Sequence, residues 1–355
     1  MIIKIIIVLF IAIPMYGQYD HVPVFPDLDG EDLKNHLIEA YRPAKVLSLS
    51  QARDTLYRKV YLHNDSVKCV YSNLAKHLDL NEDPSQYLFG SGSALDFNLE
   101  HSYPRSKGAE HGNPSSDMHH LFPSRVDVNS ARAANPFSEI EDSLTSNWYY
   151  KDETTQVIPN DRIELYSESK SDSFEPQEGF KGNIARAIFY FYTMYEDAAN
   201  TADDNFFAEQ VDNLCEWHFL DPVDSLEWAR TFLIAYYQDN RPNPFVLDCN
   251  LVRLYCPQID YACELVNTFE PDQLEFFIYP NLLAPGDFIK IESNYLTNQS
   301  FKIQFVNMSG QSFYPHVQRL NSWTLEVEAP KSKGSYILNI IDSERQISSR
   351  KLIVF

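Results

Sequence analysis

The chain has 355 residues, of which 44% are hydrophobic, and it carries 50 acidic residues against 29 Lys and Arg, for a formal net charge of −21. This hydrophobic content excludes an intrinsically disordered chain, and the length suffices for one large domain and one small domain. The acidic excess excludes a simple nucleic-acid binder with a long basic groove, because such a groove requires positive charge. Any attraction for a polyanion must therefore be local.

The first 18 residues predict a signal peptide. Lys4 supplies a positive start, the apolar segment from Ile5 to Ile13 is shorter than a membrane span, and residues 16–18 form a cleavage region. A membrane anchor and a lipoprotein signal are the alternatives. The lack of a cysteine near the cleavage region argues against the lipoprotein signal. No later segment is apolar enough to cross a bilayer. We therefore expect a secreted protein, extracellular or attached to the cell surface.

Five cysteines remain after export, and their pattern favours disulfides over a metal site. They are Cys69, Cys215, Cys249, Cys256 and Cys263. An oxidising compartment favours disulfides, and the odd number leaves at least one thiol free or paired elsewhere. The last three are seven residues apart, which permits a metal site, but structural zinc sites use more tightly spaced ligand pairs. Local disulfides are the favoured interpretation.

Residues 19–270 predict a mainly helical domain. Apolar spacing over residues 37–62 predicts helices interrupted at Pro43, and a short strand is expected from Val67 to Tyr71. Ser124 is the expected N-cap of a helix from Arg125 to Ala134. Asn129 and Arg132 would share one face of that helix, and Val126 and Ala133 would bury the other.

Further along, the segment from Ile184 to Glu196 has apolar residues on nearly all sides, which predicts a central core helix. Residues 205–217 and 225–238 predict two more helices, the second capped by Asp221 or Asp224. Residues 275–355 alternate between apolar and polar, with turns at residues 284–286 and 309–310, which predicts a small β-sandwich. The expected fold class is therefore α+β, with a mainly helical domain followed by an all-β domain.

The chemistry is concentrated in residues 98–135. From residue 99 to residue 135 there are four Lys and Arg residues and four Asp and Glu residues, so a bound divalent ion would make this window positive. Glu100 and the amide oxygen of Asn129 can hold a hard cation such as Mg²⁺ or Ca²⁺. His101, left unligated, could take a proton from water. Because adjacent strand residues face opposite sides, Glu100 and His101 can share a site only at a strand end or bend.

Each of these residues alone is weak support for catalysis. A lone Glu-His pair is usually surface chemistry, and the pair His119-His120 is more often bonded to backbone carbonyls than catalytic. Arg132 could pair with Asp127 or Asp117. The specificity comes from the combined order of the motifs.

That order resembles the endonuclease I family of secreted, nonspecific nucleases with a ββα-metal (HNH-like) site. The resemblance is carried by L-E-H-S-Y-P-R-S at 99–106, D-M-H-H-L-F-P-S at 117–124 and V-N-S-A-R-A-A-N-P-F at 128–137, and it covers about residues 35–260. It implies a cation on Glu100 and Asn129, with His101 as general base. It further implies cleavage of DNA, and often RNA, to 5′-phosphate products, with Mg²⁺ as the cofactor and Ca²⁺ or Mn²⁺ as alternatives. Arg132, expected to hold a phosphate, lies where the family often has a tighter Arg-Gly-Asn.

The C-terminal segment resembles the sorting domain read by the type IX secretion system. The resemblance is carried by residues 279–281, 305–311, 334–337 and the terminal K-L-I-V-F at 351–355. It implies the secretion machinery as a partner. A carbohydrate- or protein-binding module is the alternative.

The sequence thus predicts a secreted, metal-dependent, nonspecific endonuclease, monomeric and in contact with nucleic acid through phosphates. Asp117, His119 and His120 are expected to brace the site. Two alternatives stay open: a noncatalytic surface adhesin on a nuclease-like scaffold, and a zinc-dependent phosphohydrolase using His101, His119 and His120. The absence of H-E-x-x-H argues against a zincin protease.

Overall fold

The computed structural model describes residues 22–257, 277–279, 282–292, 301–307, 311–320, 324–341 and 347–354. The predicted signal peptide, the expected domain boundary near residue 270 and Cys263 lie outside the described residues. Within the described ranges, no helix combines the length and apolarity that crossing a membrane requires.

Residues 22–257 combine helices with small sheets, as the predicted α+β class requires. The helices are α1 (Gly30–Tyr41), α2 (Leu49–Thr55), α3 (Pro84–Phe89), α4 (Val126–Arg132), α5 (Lys181–Ala202), α6 (Val211–Leu220), α7 (Ser225–Ala235) and α8 (Pro244–Leu247). The strands are β1 (Ser66–Lys68), β2 (Ala75–His77), β3 (Phe97–His101), β4 (Leu121–Arg125), β5 (Asn147–Tyr150), β6 (Glu153–Thr155), β7 (Ser167–Ser169) and β8 (Phe174–Glu175). They form the sheets β1-β2, β3-β4 and β6-β5-β7-β8.

Side-chain caps set several of the helix starts. The expected break at Pro43 is confirmed, since α1 ends at Tyr41 and α2 begins after a capping box formed by Ser48 and Gln51. Asp224 caps α7 by accepting a hydrogen bond from the Glu227 amide, which decides between the two candidates.

The central core helix is confirmed and is longer than predicted. Most of the α5 side chains from Ile184 to Tyr195 are buried, and α1, α6 and α8 pack around them. Gly182 allows the chain after α6 to approach, because a Cβ at this position would lie 1.9 Å from the carbonyl oxygen of Asp221. Asp221 itself accepts a hydrogen bond from the Gly182 amide. The same hydrophobic core includes Phe97 of β3 and Phe122 of β4.

The predicted helix from Arg125 is present as α4, which begins one residue later, but its predicted N-cap, Ser124, is wrong. Ser124 belongs to β4, is fully buried, and donates its hydroxyl to the Arg125 carbonyl at 3.3 Å instead of capping the helix. The reason is that β4 continues its ladder with β3 as far as Arg125, so the helix can begin only afterwards. The predicted buried face is also wrong, because Val128 is buried whereas Ala133 is exposed in a left-handed conformation.

The cysteines form a longer-range link than expected. Cys215 in α6 is bonded to Cys256 across 41 residues, and Cys249 is also disulfide-bonded. The alternative of a metal site formed by Cys249, Cys256 and Cys263 is therefore wrong, because Cys256 is in a disulfide. At least one free thiol was expected from the odd number of cysteines, and the structure shows that Cys69 is free and buried.

The predicted all-β C-terminal region is confirmed. Its strands are β9 (Phe277–Tyr279), β10 (Leu282–Leu283), β11 (Phe288–Glu292), β12 (Lys302–Asn307), β13 (Ser312–Phe313), β14 (Val317–Arg319), β15 (Thr324–Glu328), β16 (Gly334–Ile341) and β17 (Ile347–Val354). They form two sheets, ordered β10-β17-β16-β12-β13 and β14-β15-β11-β9. Ile289 and Val327 from one sheet share a hydrophobic core with Leu338 and Leu352 from the other.

Candidate active site

The motif-bearing residues lie on a two-stranded antiparallel sheet and the helix that follows it. In β3 and β4, Phe97 is opposite Arg125 and His101 is opposite Leu121, and α4 begins directly after β4. Side chains alternate along a strand, so residues 98 and 100 share one face of β3. The helix α4 packs against that sheet.

Asn129, on α4, reaches the strand residue immediately before Glu100. Its Nδ2 donates to Oδ1 of Asn98 at 2.8 Å and to the carbonyl oxygen of Leu99 at 3.3 Å. The structure thus brings Asn129 to the face of β3 that carries Glu100. Its side-chain oxygen points away from these two acceptors.

Glu100 is a buried carboxylate, only 2% exposed, that shares one oxygen between two partners. Oε1 accepts a hydrogen bond from the Tyr71 hydroxyl at 3.0 Å and lies 3.0 Å from Nε of Arg132. Burial raises the pKa of Glu100 to about 7, against the lowering effect of the Arg132 charge and the Tyr71 hydroxyl. Next to Tyr71, the Ser72 carbonyl accepts a hydrogen bond from the amide of Lys151 at the β5-β6 turn.

Arg132 is fully buried behind Glu100. Nη2 donates to the Ser102 carbonyl at 2.5 Å, Nη1 donates to the Ala133 carbonyl at 2.9 Å, and the guanidinium lies 4.5 Å from the centre of the Phe137 ring. Because Arg132 has no exposed surface, a direct phosphate contact does not fit this position. The geometry instead makes Arg132 the charge partner that holds Glu100.

The two pairings considered for Arg132 from the sequence are also wrong. Asp127 pairs with Arg125, with Nη2 at 2.5 Å from Oδ2. Asp117 accepts hydrogen bonds from the Tyr190 and Tyr195 hydroxyls at 2.8 and 2.7 Å. Both carboxylates are therefore occupied by other partners.

His101 occupies the last position of β3 and has a defined tautomer. Its Nε2 lies 3.0 Å from the carbonyl oxygen of Ser115. A carbonyl oxygen only accepts, so Nε2 carries the proton and Nδ1 is left with a lone pair. Burial, together with the charges of Arg105 and Arg132, lowers the pKa of His101 to about 4, against the raising effect of the Ser115 bond. The ring is therefore neutral at pH 7 and able to accept a proton.

The neighbouring histidines are structural, as the sequence favoured. His119 and His120 are fully buried; Nε2 of the first bonds the Arg241 carbonyl at 2.9 Å, and Nε2 of the second bonds the Pro114 carbonyl at 2.7 Å. The His101 and His120 ring centres are 5.6 Å apart. Since each ring bonds a different carbonyl, the three do not converge, and no three His, Cys, Asp or Glu among the described residues could hold a metal ion together.

Comparison with known proteins identifies the family of this chain. Residues 29–249 match the family model described as Endonuclease I. This chain belongs to the Endonuclease I family.

Two curated relatives of this Endonuclease I family member are extracellular ribonucleases. The one from Bacillus subtilis (strain 168) is 32% identical over 182 residues, which cover 47% of this chain and 56% of the relative. The one from Bacillus amyloliquefaciens is 32% identical over 168 residues, which cover 44% of this chain and 52% of the relative. The chain thus spans about half the length of the curated relatives it matches.

The donor set of this Endonuclease I family member fits a magnesium-type ion. A carboxylate oxygen of Glu100 and the amide oxygen of Asn129 are hard ligands, and both hydrogens of that amide face the acceptors on β3. Mg²⁺ usually takes one or two carboxylates and completes its shell with waters and substrate phosphates. Two protein ligands are therefore enough for Mg²⁺, whereas a zinc site takes three or four.

Sequence reasoning missed three residues of this site. The sequence predicts Tyr71 only as the end of a short strand, and its one signal for Asn98 is the position two residues before Glu100. The motif at 99–106 includes Arg105 but assigns no role to it. It is exposed in a short 3₁₀ turn just after β3 and forms no ion pair or side-chain hydrogen bond with any described residue. Its neighbour Lys107 is paired with Asp203, with Nζ at 2.5 Å from Oδ2.

Proposed function

We propose that this chain is a secreted, metal-dependent, sequence-nonspecific endonuclease that hydrolyses phosphodiester bonds of DNA, and of RNA, to 5′-phosphate products. The observation that supports the proposal is the placement of Glu100 and His101 at the end of β3, the strand that Asn129 of α4 contacts through the Leu99 carbonyl. Membership of the Endonuclease I family supports the reaction class. The relatives' name, extracellular ribonuclease, supports both export and RNA as a substrate.

In the proposed reaction, His101 acts as the general base. Nδ1 takes a proton from a water molecule, and the resulting hydroxide attacks phosphorus as the bond to the 3′-oxygen breaks. The bond from Nε2 to the Ser115 carbonyl keeps the ring in the tautomer this step requires. When bound by Glu100 and Asn129, Mg²⁺ would supply positive charge that stabilises the phosphate and the leaving 3′-oxygen.

Two arginines have different roles in this proposal. Arg132 holds the Glu100 carboxylate in place from behind. Arg105, exposed and close enough to lower the pKa of His101, supplies the phosphate contact that the sequence had assigned to Arg132. Such contacts act on the backbone of the nucleic acid and carry no base information, so the enzyme would be nonspecific.

Asp117, His119 and His120 brace the site from the core. His120 and His101 bond consecutive carbonyls of one turn, at Pro114 and Ser115. Asp117 accepts four hydrogen bonds, including one from the Gln238 side chain at 2.8 Å. These contacts would hold the base in position.

The C-terminal sandwich is proposed as a sorting domain for the type IX secretion machinery, on a chain that acts as a monomer. Deletion of residues 275–355 should abolish export from a host that has this machinery while cleavage in lysates persists. Export without these residues would instead favour the binding-module alternative.

A digestion assay tests the activity. The purified chain should nick plasmid DNA and degrade RNA with Mg²⁺, and a chelator should stop both reactions. His101→Ala should lose at least about 100-fold in rate. His111→Ala is a matched control, because that imidazole is 88% exposed in the same connection between β3 and β4.

Each alternative predicts a different outcome. An adhesin would cleave neither nucleic acid, and a zinc phosphohydrolase would retain one zinc ion per chain after dialysis. A His101→Ala variant with full activity and a wild-type melting temperature would contradict the proposed mechanism.

A further inference from the structure

The amide of Asn129 is held in one orientation by two acceptors on β3. A side-chain amide can turn by 180°, which exchanges its oxygen with its NH₂ group. The Leu99 backbone carbonyl can only accept, so the Asn129 atom that faces it at 3.3 Å must be Nδ2. The second, shorter bond from Nδ2 goes to Oδ1 of Asn98 at 2.8 Å. Both amide hydrogens are therefore committed to the strand.

The orientation of the Asn129 amide matters for the proposed cation because Asn98 lies on the same face of β3 as Glu100. Asn98 and Glu100 share one face of β3, and α4 crosses that face with Asn129 at Asn98 and Arg132 at Glu100. A turned amide would present NH₂ where the proposed cation needs an oxygen ligand. Without Asn98, only the longer bond to Leu99 opposes that turn.

We propose that Asn98 is a positioning residue for the cation site, because its side-chain oxygen fixes the Asn129 amide with the oxygen toward the ion. This inference rests on the proposed function, in which Asn129 is a ligand. Asn98 does not touch the substrate or the reacting atoms. Residues that orient metal ligands in this way typically change metal affinity or activity by 10- to 100-fold when they are replaced.

Metal binding without nucleic acid tests the proposal. Mn²⁺ affinity is measured by electron paramagnetic resonance for the wild type and for Asn98→Ala, Asn98→Leu, Asn98→Asp and Asn129→Ala. The variants without the acceptor, Asn98→Ala and the nearly isosteric Asn98→Leu, should bind Mn²⁺ about 10-fold more weakly. Asn98→Asp keeps an acceptor oxygen and should bind at least as tightly as the wild type.

Ser130→Ala is the matched control. Ser130 follows Asn129 on α4, is exposed, and bonds the Val126 carbonyl at 2.7 Å, so its removal leaves the amide untouched. Cleavage assays add a second readout. For Asn98→Ala the Mg²⁺ concentration for half-maximal rate should rise about 10-fold, while the rate at saturating Mg²⁺ recovers to near the wild-type value.

The outcomes separate this inference from the function it rests on. Wild-type Mn²⁺ affinity in Asn98→Ala or Asn98→Leu, together with a large loss in Asn129→Ala, would overturn the role of Asn98 alone. Wild-type affinity in Asn129→Ala would instead overturn the ligand assignment and the inference with it. If neither Ala nor Leu at position 98 allows folding, a 10-fold weaker Kd in Asn98→Asp overturns the role.

Discussion

Nε of Arg132 lies 3.0 Å from Oε1 of Glu100, and both side chains are almost completely shielded from solvent. Two opposite charges buried in this way are costly to separate, because removal of one leaves the other desolvated and unpaired. The pair connects α4 to β3 at the proposed cation site. Its energetics should therefore be measurable in both stability and activity.

Arg132→Met should lower the free energy of unfolding by about 3 kcal/mol, because it leaves the Glu100 carboxylate buried without its charge partner. Urea denaturation in the absence of metal measures this effect. The double variant Glu100→Gln/Arg132→Met should recover part of the loss. If Arg132→Met and the wild type unfold at the same urea concentration, the pair contributes nothing to stability.

Arg105→Ala should reduce kcat/KM on DNA about 10-fold, the scale of a lost charge-assisted hydrogen bond. The dependence of KM on salt should also become weaker, because one phosphate contact is gone. Arg162→Ala is the control, since Arg162 is exposed, paired with Asp161 and outside the β3-β4-α4 unit. Equal losses in the two variants would indicate a general charge effect.

The Mg²⁺ requirement should depend on pH through Glu100. Burial raises the pKa of this carboxyl to about 7 in the metal-free protein, so below pH 7 a proton competes with the cation. The Mg²⁺ concentration for half-maximal rate should rise by up to about 10-fold for each pH unit below 7 and level off above it. Titrations at pH 5.5, 6.5 and 8 measure this dependence.

His101 does not interfere with that measurement, because its pKa is about 4 and the ring stays neutral over the range. The raised pKa of Glu100 also affects the stability of the fold. Glu100 binds its proton more tightly in the folded chain than in the unfolded chain, so its stabilising contribution is greatest below pH 4.5 and is lost as the pH rises through 7. A pH-independent Mg²⁺ requirement would contradict this account.

Loss of the Cys215–Cys256 disulfide should cost about 4 kcal/mol of stability, because the bond closes a loop of 41 residues. The double variant Cys215→Ser/Cys256→Ser tests this by chemical denaturation. Thermal unfolding of the wild type should also shift on addition of reductant by more than that of the double variant. Equal shifts in the two proteins would show that this bond does not stabilise the fold.

Local signals in the sequence predicted much of the fold. The cap at Asp224, the break at Pro43 and the core helix α5 each depend on residues close together in the chain. The shared face of Asn129 and Arg132 followed from their helical spacing, and both side chains do contact β3. Such features need no knowledge of the tertiary structure.

The incorrect predictions depend on contacts between different elements of the fold. Ser124 looked like a helix cap, but the ladder between β3 and β4 extends past it and overrides that preference. The two carboxylates considered for Arg132, Asp127 and Asp117, have other partners, and its actual partner, Glu100, lies on a different element. The role of Asn98 likewise depends on how α4 crosses the sheet, which spacing alone does not specify.

The contact between Tyr71 and Glu100 ties the site to an outer part of the molecule. Tyr71 donates to the carboxylate, and the carbonyl of the adjacent Ser72 accepts a hydrogen bond from the amide of Lys151 in the exposed turn of the β5-β6 hairpin. Substitutions in that hairpin would shift Tyr71 and thereby change the affinity of the proposed cation site for divalent ions. The metal affinity of the proposed site would thus depend on residues that touch neither the ion nor the substrate.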